Sequence, residues 1–327
     1  MKRRQFIGLL GATAVGSPLA ARAQQAGKVY RIGILGTTIT SPSMAVNHRA
    51  FLVELEKLGF SEGKNLLIEH RLVNDPRGAF VAAAELLRSQ PDLVWANGPE
   101  LALQAVIGAS GFIPIVILAV NYDPIERGYV KSLAQPGGNI TGIFYRQPEL
   151  AAKQLELLTQ AFPERTKLGV LWDALSADQF TAAERAAQAH RLELHSLKLE
   201  KAPYDFPAAF RQLSDGGSQM VLVLSSPFFA QYTASVAEAA RASRLPSMFI
   251  FRSYVDAGGL MCYGVKQIPM FRRMAAFVAK IFNGTNPGDI PVEQVSNFEL
   301  VVNLKTAKTI GVEIPASILL RADEVIE

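Results

Sequence analysis

From Val29 onward, short apolar runs alternate with stretches whose apolar residues recur every three or four positions. Residues 29–35 (Val-Tyr-Arg-Ile-Gly-Ile-Leu) form such a run and predict a strand, followed by a polar loop over 36–43. Val46, Ala50, Val53, Leu55 and Leu58 then make a helical stripe over 44–58, with Gly59 as the stop. The same reading predicts strands over 66–73, 93–96 and 114–120, and helices over 77–89 and 100–109. Four strands alternating with three helices mean a parallel sheet with helices on both faces.

The rhythm restarts at Lys167. Strands are predicted over 167–172, 192–199, 220–224, 248–251 and 259–265, with helices over 177–190, 205–214 and 229–242 between them. Two such runs predict two lobes of similar architecture, although the halves share no recognisable sequence identity. Between them lie the turn cluster Gln135-Pro136-Gly137-Gly138-Asn139, a strand over 140–145 and a helix over 149–161. After Val265 come a helix of about four turns ending at Asn283-Gly284, an alternating strand over 298–303, and a short helix over 305–310 stopped by Gly311. The simplest placement returns this tail to the first lobe and the junction between lobes.

The N-terminus carries an address. Lys2, Arg3 and Arg4 precede a short Gly/Ala-rich apolar stretch, and Ala21-Arg22-Ala23 is a small-residue cleavage site. The apolar stretch is too short to span a bilayer. The paired arginines before Gln5-Phe6-Ile7 resemble a twin-arginine export signal. Residues 1–23 are therefore expected to be cleaved after Ala23, leaving a periplasmic protein without a lipid anchor or membrane span. Removing the leader takes four of the 33 Lys and Arg residues and leaves them equal to the 29 Asp and Glu. No basic stripe remains to follow a phosphate backbone, which excludes nucleic-acid binding.

Candidate chemistry is sparse. Cys262 is the only cysteine, which excludes an intrachain disulfide and a cysteine metal cluster; it reads as a buried strand residue. His48, His70, His190 and His195 form no metal-ligand spacing and read as surface or supporting residues. There is no Walker A loop, no dinucleotide fingerprint after a strand and no nucleophile elbow. No cofactor, metal or catalytic constellation is therefore expected, and an ATPase would have to be another chain.

The chain resembles the substrate-binding proteins of ABC transporters, including the tryptophan/tyrosine-type binding components. The resemblance runs from Arg31-Ile32-Gly33-Ile34-Leu35 through Asp123-Pro124. It is most specific over Ser132-Leu133-Ala134-Gln135-Pro136-Gly137-Gly138-Asn139-Ile140-Thr141-Gly142, Phe298-Glu299-Leu300-Val301-Val302-Asn303 and Leu320-Arg321-Ala322-Asp323-Glu324-Val325-Ile326. It implies an α/β type I periplasmic-binding fold, with two Rossmann-like lobes of parallel sheets joined by a hinge of crossover strands. On that plan, 28–143 is the N-terminal lobe, with a return segment at about 266–290. Residues 144–265 are the C-terminal lobe, and 291–327 form a hairpin and helix near the hinge. Many members have Thr before the Asp-Pro pair where this chain has Asn121-Tyr122, and 265–270 also departs from the usual pattern.

In open α/β sheets the ligand lies beyond the carboxyl ends of the strands, and two facing sheets make a cleft. Position then selects the candidates. Thr37, Thr38 and Ser41 precede a helix whose free N–H groups favour a carboxylate; ordinary capping by Ser41 or Ser43 accounts for the same residues. Asn97 and Gly98 follow the third strand, where a tight turn is the other reading. Asn121 and Asp123 follow the fourth; Asp123 either meets an ammonium group or starts a turn. Tyr145 ends the crossover strand. In the second half come Trp172, Asp173, Ser225, Ser226, Phe228, Arg252 and Tyr263. Aromatic residues there suit a planar or apolar ligand but suit a core equally. Arg252 suits either a carboxylate clamp or a surface ion pair.

The expectation is an extracytoplasmic solute-binding protein. It would hold a small ligand, with an amino acid or related carboxylate favoured, and deliver it to the permease of an ABC importer. A periplasmic ligand-sensing co-receptor on the same fold and an exported α/β enzyme are the alternatives.

Overall fold

The computed structural model describes residues 27–36, 42–73, 76–201 and 203–327. The leader, Thr37, Thr38 and Ser41 lie outside the described residues. The first half runs β1 (Tyr30–Gly36), α1 (Pro42–Lys57), β2 (Leu66–Leu72), α2 (Pro76–Arg88), β3 (Leu93–Gly98), α3 (Glu100–Ala109), β4 (Ile115–Val120) and β5 (Ile140–Tyr145). The second half continues with α4 (Gln147–Ala161), β6 (Lys167–Asp173), α5 (Ala177–Ala189), β7 (Glu193–Leu199), α6 (Phe206–Asp215), β8 (Met220–Val223), α7 (Pro227–Gln231), α8 (Thr233–Ala242), β9 (Ser247–Phe249), α9 (Arg252–Asp256) and β10 (Met261–Val265). The tail holds α10 (Gln267–Phe282), β11 (Glu293–Gln294), β12 (Phe298–Asn303), α11 (Leu304–Ile310), α12 (Ala316–Leu319) and β13 (Glu324–Ile326).

The strands form two sheets, ordered β11-β5-β4-β3-β1-β2 and β13-β12-β10-β9-β8-β6-β7. Every pairing is parallel except β10 with β12, which is antiparallel. β12 runs antiparallel because it enters from the first lobe beside β11 instead of crossing over through a helix of its own sheet, and the tail expected at the first lobe and the junction instead adds β12 and β13 to the second sheet.

Both faces of each sheet are covered, which is why β1, β3 and β4 read as nearly unbroken apolar runs. In the first lobe Phe51 and Leu55 of α1 and Met274 and Val278 of α10 pack on one face. Ala79, Ala83 and Leu86 of α2 and Leu103 and Val106 of α3 pack on the other. In the second lobe α4, α5 and α11 cover one face and α6, α8 and α9 the other. Each fully buried Leu, Ile or Phe contributes about 1.5–3 kcal/mol over leaving it exposed.

The chain passes between the sheets from β5 to α4, from β10 to α10 and from β11 to β12. β5 must lie close against β4, and Gly142 makes that possible. At φ 137° its backbone is one that side chains disfavour, and a Cβ there would overlap the carbonyl oxygen of Ile117.

The helix expected over 229–242 is two helices. Ser226 caps α7 by accepting from the Phe228 N–H at 3.1 Å, and Tyr232, at φ −116° and ψ 31°, breaks the run before α8. The elements α9, α12, β11 and β13 span between two and five residues each, too few for hydrophobic periodicity to reveal.

Candidate functional site

The carboxyl ends of β3, β4 and β5 face those of β6 and β8 across a cleft of about 480 Å³. Asn97, Gly98, Asn121 and Tyr145 line it from the first lobe, Ser225 and Ser226 from the second. Apolar side chains close one end: Met44 of α1, Leu118 of β4, Phe251, and Met270 and Phe271 of α10. An apolar pocket with a few convergent polar groups is the usual form of a small-molecule site.

Around Asp173 the second-lobe wall is closed by its own hydrogen bonds. Asp173, 1% exposed, accepts from the Leu175 N–H at 3.0 Å and from the Ser226 hydroxyl. The Tyr204 hydroxyl donates at 3.4 Å to Oδ2, the oxygen that also accepts from Ser226. Burial, then the Asp173 charge, pushes that phenol up to about 12. Asp173 thus fixes Ser226 and faces inward; it is not itself on the cleft surface.

A second network joins the two sheets. The Asn121 amide donates to Gln147 Oε1 at 3.1 Å, and Asn121 Oδ1 accepts from the Gln147 N–H at 2.9 Å. Gln147 Nε2 donates to the Ser225 hydroxyl at 2.8 Å. Gln179 Nε2 donates to Gln147 Oε1 and to the Ser225 carbonyl, each at 3.0 Å, and Gln179 Oε1 accepts from the Ser225 N–H at 2.9 Å. Asn121 sits at φ 68°, a left-handed conformation that asparagine tolerates. Gln147 and Gln179, absent from the sequence candidates, are buried polar residues in the first turn of α4 and α5. Two glutamines at buried positions of amphipathic helices were the available signal.

Two carboxylates line the cleft. Glu100 accepts from the Tyr129 hydroxyl at 2.8 Å and pairs with Arg127 at 3.4 Å. Asp178, in the first turn of α5, holds only backbone: the Gln179 N–H donates to it at 2.8 Å. Burial pushes its carboxyl up, and no basic side chain among the described residues acts on it. An acid in the helical turn just after a strand end was legible in the sequence but was not singled out.

The first-lobe wall leads into a small chamber of about 10 Å³ lined by Ile34, Met44, His48, His70, Trp95, Asn97 and Phe271. The His48 and His70 rings lie edge to face with centroids 5.0 Å apart. His48 Nε2, His70 Nδ1, Trp95 Nε1 and the neighbouring Asn47 Nδ2 are buried and have no hydrogen-bond partner among the described residues. Burial, reinforced by His48, pushes His70 down to about 4; burial lowers His48 as well, against an opposing pull from Glu62. The surface role expected of these two histidines is therefore corrected: β2 and α1 turn both toward the core beside Trp95.

The remaining candidates lie elsewhere. Asp123 closes a turn by accepting from the N–H groups of Ile125 at 2.8 Å and Glu126 at 3.3 Å. Trp172 stacks on Phe180 at 4.3 Å and donates to the Ser196 hydroxyl at 2.8 Å. Phe228 packs edge-on against Tyr204. Tyr263 stacks on Phe298, and its carbonyl accepts from Gln154 Nε2 at 2.6 Å. Arg252 is held by Glu324 and Asp256 and lines a different, larger cavity of about 780 Å³ with Lys266 and Glu299. Cys262 is buried, and burial pushes its thiol up.

The chain is similar to several known proteins. A tyrosine-binding protein of Clostridioides difficile is 26% identical over 293 residues, covering 88% of this chain and 82% of that protein. A conserved domain protein from Vibrio cholerae O1 biovar eltor superposes with a TM-score of 0.78 at 25% identity, over 91% of this chain and all of the other. A domain in complex with L-Trp from Streptococcus pneumoniae gives a TM-score of 0.75 at 23% identity with the same coverage. The family model described as ABC transporter substrate binding protein matches residues 31–326, and the chain belongs to that family.

Proposed function

We propose that this protein captures an amino acid with an apolar, preferably aromatic, side chain between its lobes outside the cytoplasmic membrane. It then presents the ligand to an ABC permease energised by a separate ATPase chain. The observation that carries the reading is Asp178, an exposed carboxylate on the cleft wall with no basic partner among the described residues. A ligand ammonium placed there supplies the missing charge and lowers the carboxyl back toward its ordinary range. The α-carboxylate meets the first turn of α3, whose N-cap Pro99 provides no side-chain cap, beside the Asn97 amide. The side chain fills the end walled by Leu118, Tyr145, Met270 and Phe271.

Domain-wise, we assign 28–143 with 266–294 to one lobe and 144–265 with 298–326 to the other, so that closure occurs about the segments linking the two sheets. Export through a twin-arginine signal cleaved after Ala23 completes the reading. The named relatives support the ligand class: one is called tyrosine-binding and one was crystallised with L-Trp. The protein works by binding and release, without turnover.

The test is a thermal-shift screen of residues 24–327, unfolded and refolded to strip carried-over ligand. Aromatic amino acids at 100 times the dissociation constant add about 2.7 kcal/mol to the folded state and raise the melting temperature visibly. A shift confined to purines or sugars, with none for any amino acid, sinks the reading.

A further inference from the structure

We propose that the chamber formed by His48, His70 and Trp95 is the specificity-determining end of the cleft and receives a hydroxyl group of the ligand. The proposal rests on the cleft being an amino-acid site and narrows its ligand to an aromatic amino acid carrying a ring hydroxyl.

The chamber adjoins the cleft, since Met44, Asn97 and Phe271 line both. At about 10 Å³ it has room for one oxygen-sized group. Its walls concentrate unmet hydrogen-bonding capacity: Trp95 is 1% exposed, and its indole N–H and the buried ring nitrogens His48 Nε2 and His70 Nδ1 have no partner among the described residues. Buried polar atoms normally have partners, so three in one chamber mark a place where a partner is brought in.

Chemistry selects the partner. An indole N–H only donates, so the incoming atom must accept. A neutral imidazole nitrogen either donates or accepts according to tautomer, so an atom with one hydrogen to give and two lone pairs meets all three nitrogens when one ring nitrogen donates and the other accepts. A hydroxyl is the smallest group that does. An ammonium cannot accept and would face the indole N–H with its own positive end. A carboxylate would lose its hydration against Ile34, Met44 and Phe271 with no cation facing it. A methyl or an unsubstituted ring edge would leave all three nitrogens unmet.

The test is the affinity of the refolded protein for L-tyrosine and L-phenylalanine, which differ by the hydroxyl alone. The proposal predicts tighter binding of L-tyrosine by roughly tenfold to a hundredfold. Trp95→Phe and His70→Phe should each bring L-tyrosine down toward the L-phenylalanine value while leaving L-phenylalanine nearly unchanged. Equal affinity of the wild-type protein for both overturns the proposal, makes the chamber a place for solvent, and leaves the amino-acid reading standing. Binding of neither overturns that reading and the proposal with it. The wild-type ratio needs no variant, so a Trp95→Phe chain that fails to fold leaves the test intact.

Discussion

Two parts of the cleft are built on opposite principles: the hydrogen-bonded cluster of the second lobe, Asp178 apart, and the histidine chamber of the first. On the second-lobe side, Asp173, Ser226 and Tyr204 close on one another, and Gln147, Gln179 and Ser225 do the same. On the first-lobe side, His48, His70 and Trp95 present buried nitrogens without partners among the described residues. Each unmet donor or acceptor costs the folded state about 1–3 kcal/mol, whereas a satisfied pair contributes about 1 kcal/mol net. One wall is thus a stable platform that fixes strand ends and the link between sheets. The other holds hydrogen-bonding capacity in reserve at the expense of stability, the arrangement expected where a ligand completes the site.

The sharpest way to break this contrast is to disarm the platform. Asp173→Ala should destabilise the protein by about 3 kcal/mol, because Ser226, Tyr204 and the Leu175 N–H lose their acceptor together. Urea unfolding checks it, and a loss under about 1 kcal/mol would mean the second wall is no more committed than the first. Acid comes next. His70 is held near 4 against an ordinary 6.5, so below pH 6.5 the unfolded chain binds a proton that the folded chain refuses. This contribution to stability is therefore full above about pH 6.5 and is lost as pH falls toward 4. After discounting for the ring's partial exposure the loss is about 2 kcal/mol. Asp178 and Glu299, raised by burial, titrate in the opposite sense. The stability difference between wild type and His70→Phe across pH isolates the histidine.

At pH 7, His70→Phe itself should change stability by less than about 1 kcal/mol, since it removes an unpaired polar group and adds apolar surface. A loss of several kcal/mol would show the ring to be part of the platform after all. Smallest of all, Arg252→Ala should cost under about 1 kcal/mol, because its pairs with Glu324 and Asp256 are exposed. It should also leave amino-acid affinity unchanged, because Arg252 lines the other cavity.

Much of the fold was legible because both faces of each sheet are covered. Strands such as β4 and β5 then read as apolar runs, and α3 was bounded correctly by its periodicity. What escaped was set by long-range contact. The antiparallel seating of β12 beside β10 depends on where α10 and β11 lead the chain, which no local pattern records. Strand-end logic placed Asn97, Gly98, Asn121, Tyr145, Ser225 and Ser226 on the cleft. It could not tell which way a side chain turns: Asp173 and Trp172 follow the same rule and turn away from the cleft. The chamber was illegible for a related reason. His48 lies on a helix and His70 on a strand 22 positions later, and only the β1–β2 register, Ile34 opposite His70, brings them together.

The most direct test of the central claim is calorimetric titration of the stripped protein with L-tyrosine, comparing wild type with Asp178→Asn. The account predicts one-site binding by the wild type. It predicts binding weaker by roughly tenfold or more in Asp178→Asn, at an unchanged or slightly raised ligand-free melting temperature, because the variant loses the ammonium partner but no cation of its own. Equal affinity in both proteins would contradict the assignment of Asp178 and, with it, the reading of the cleft as an amino-acid site.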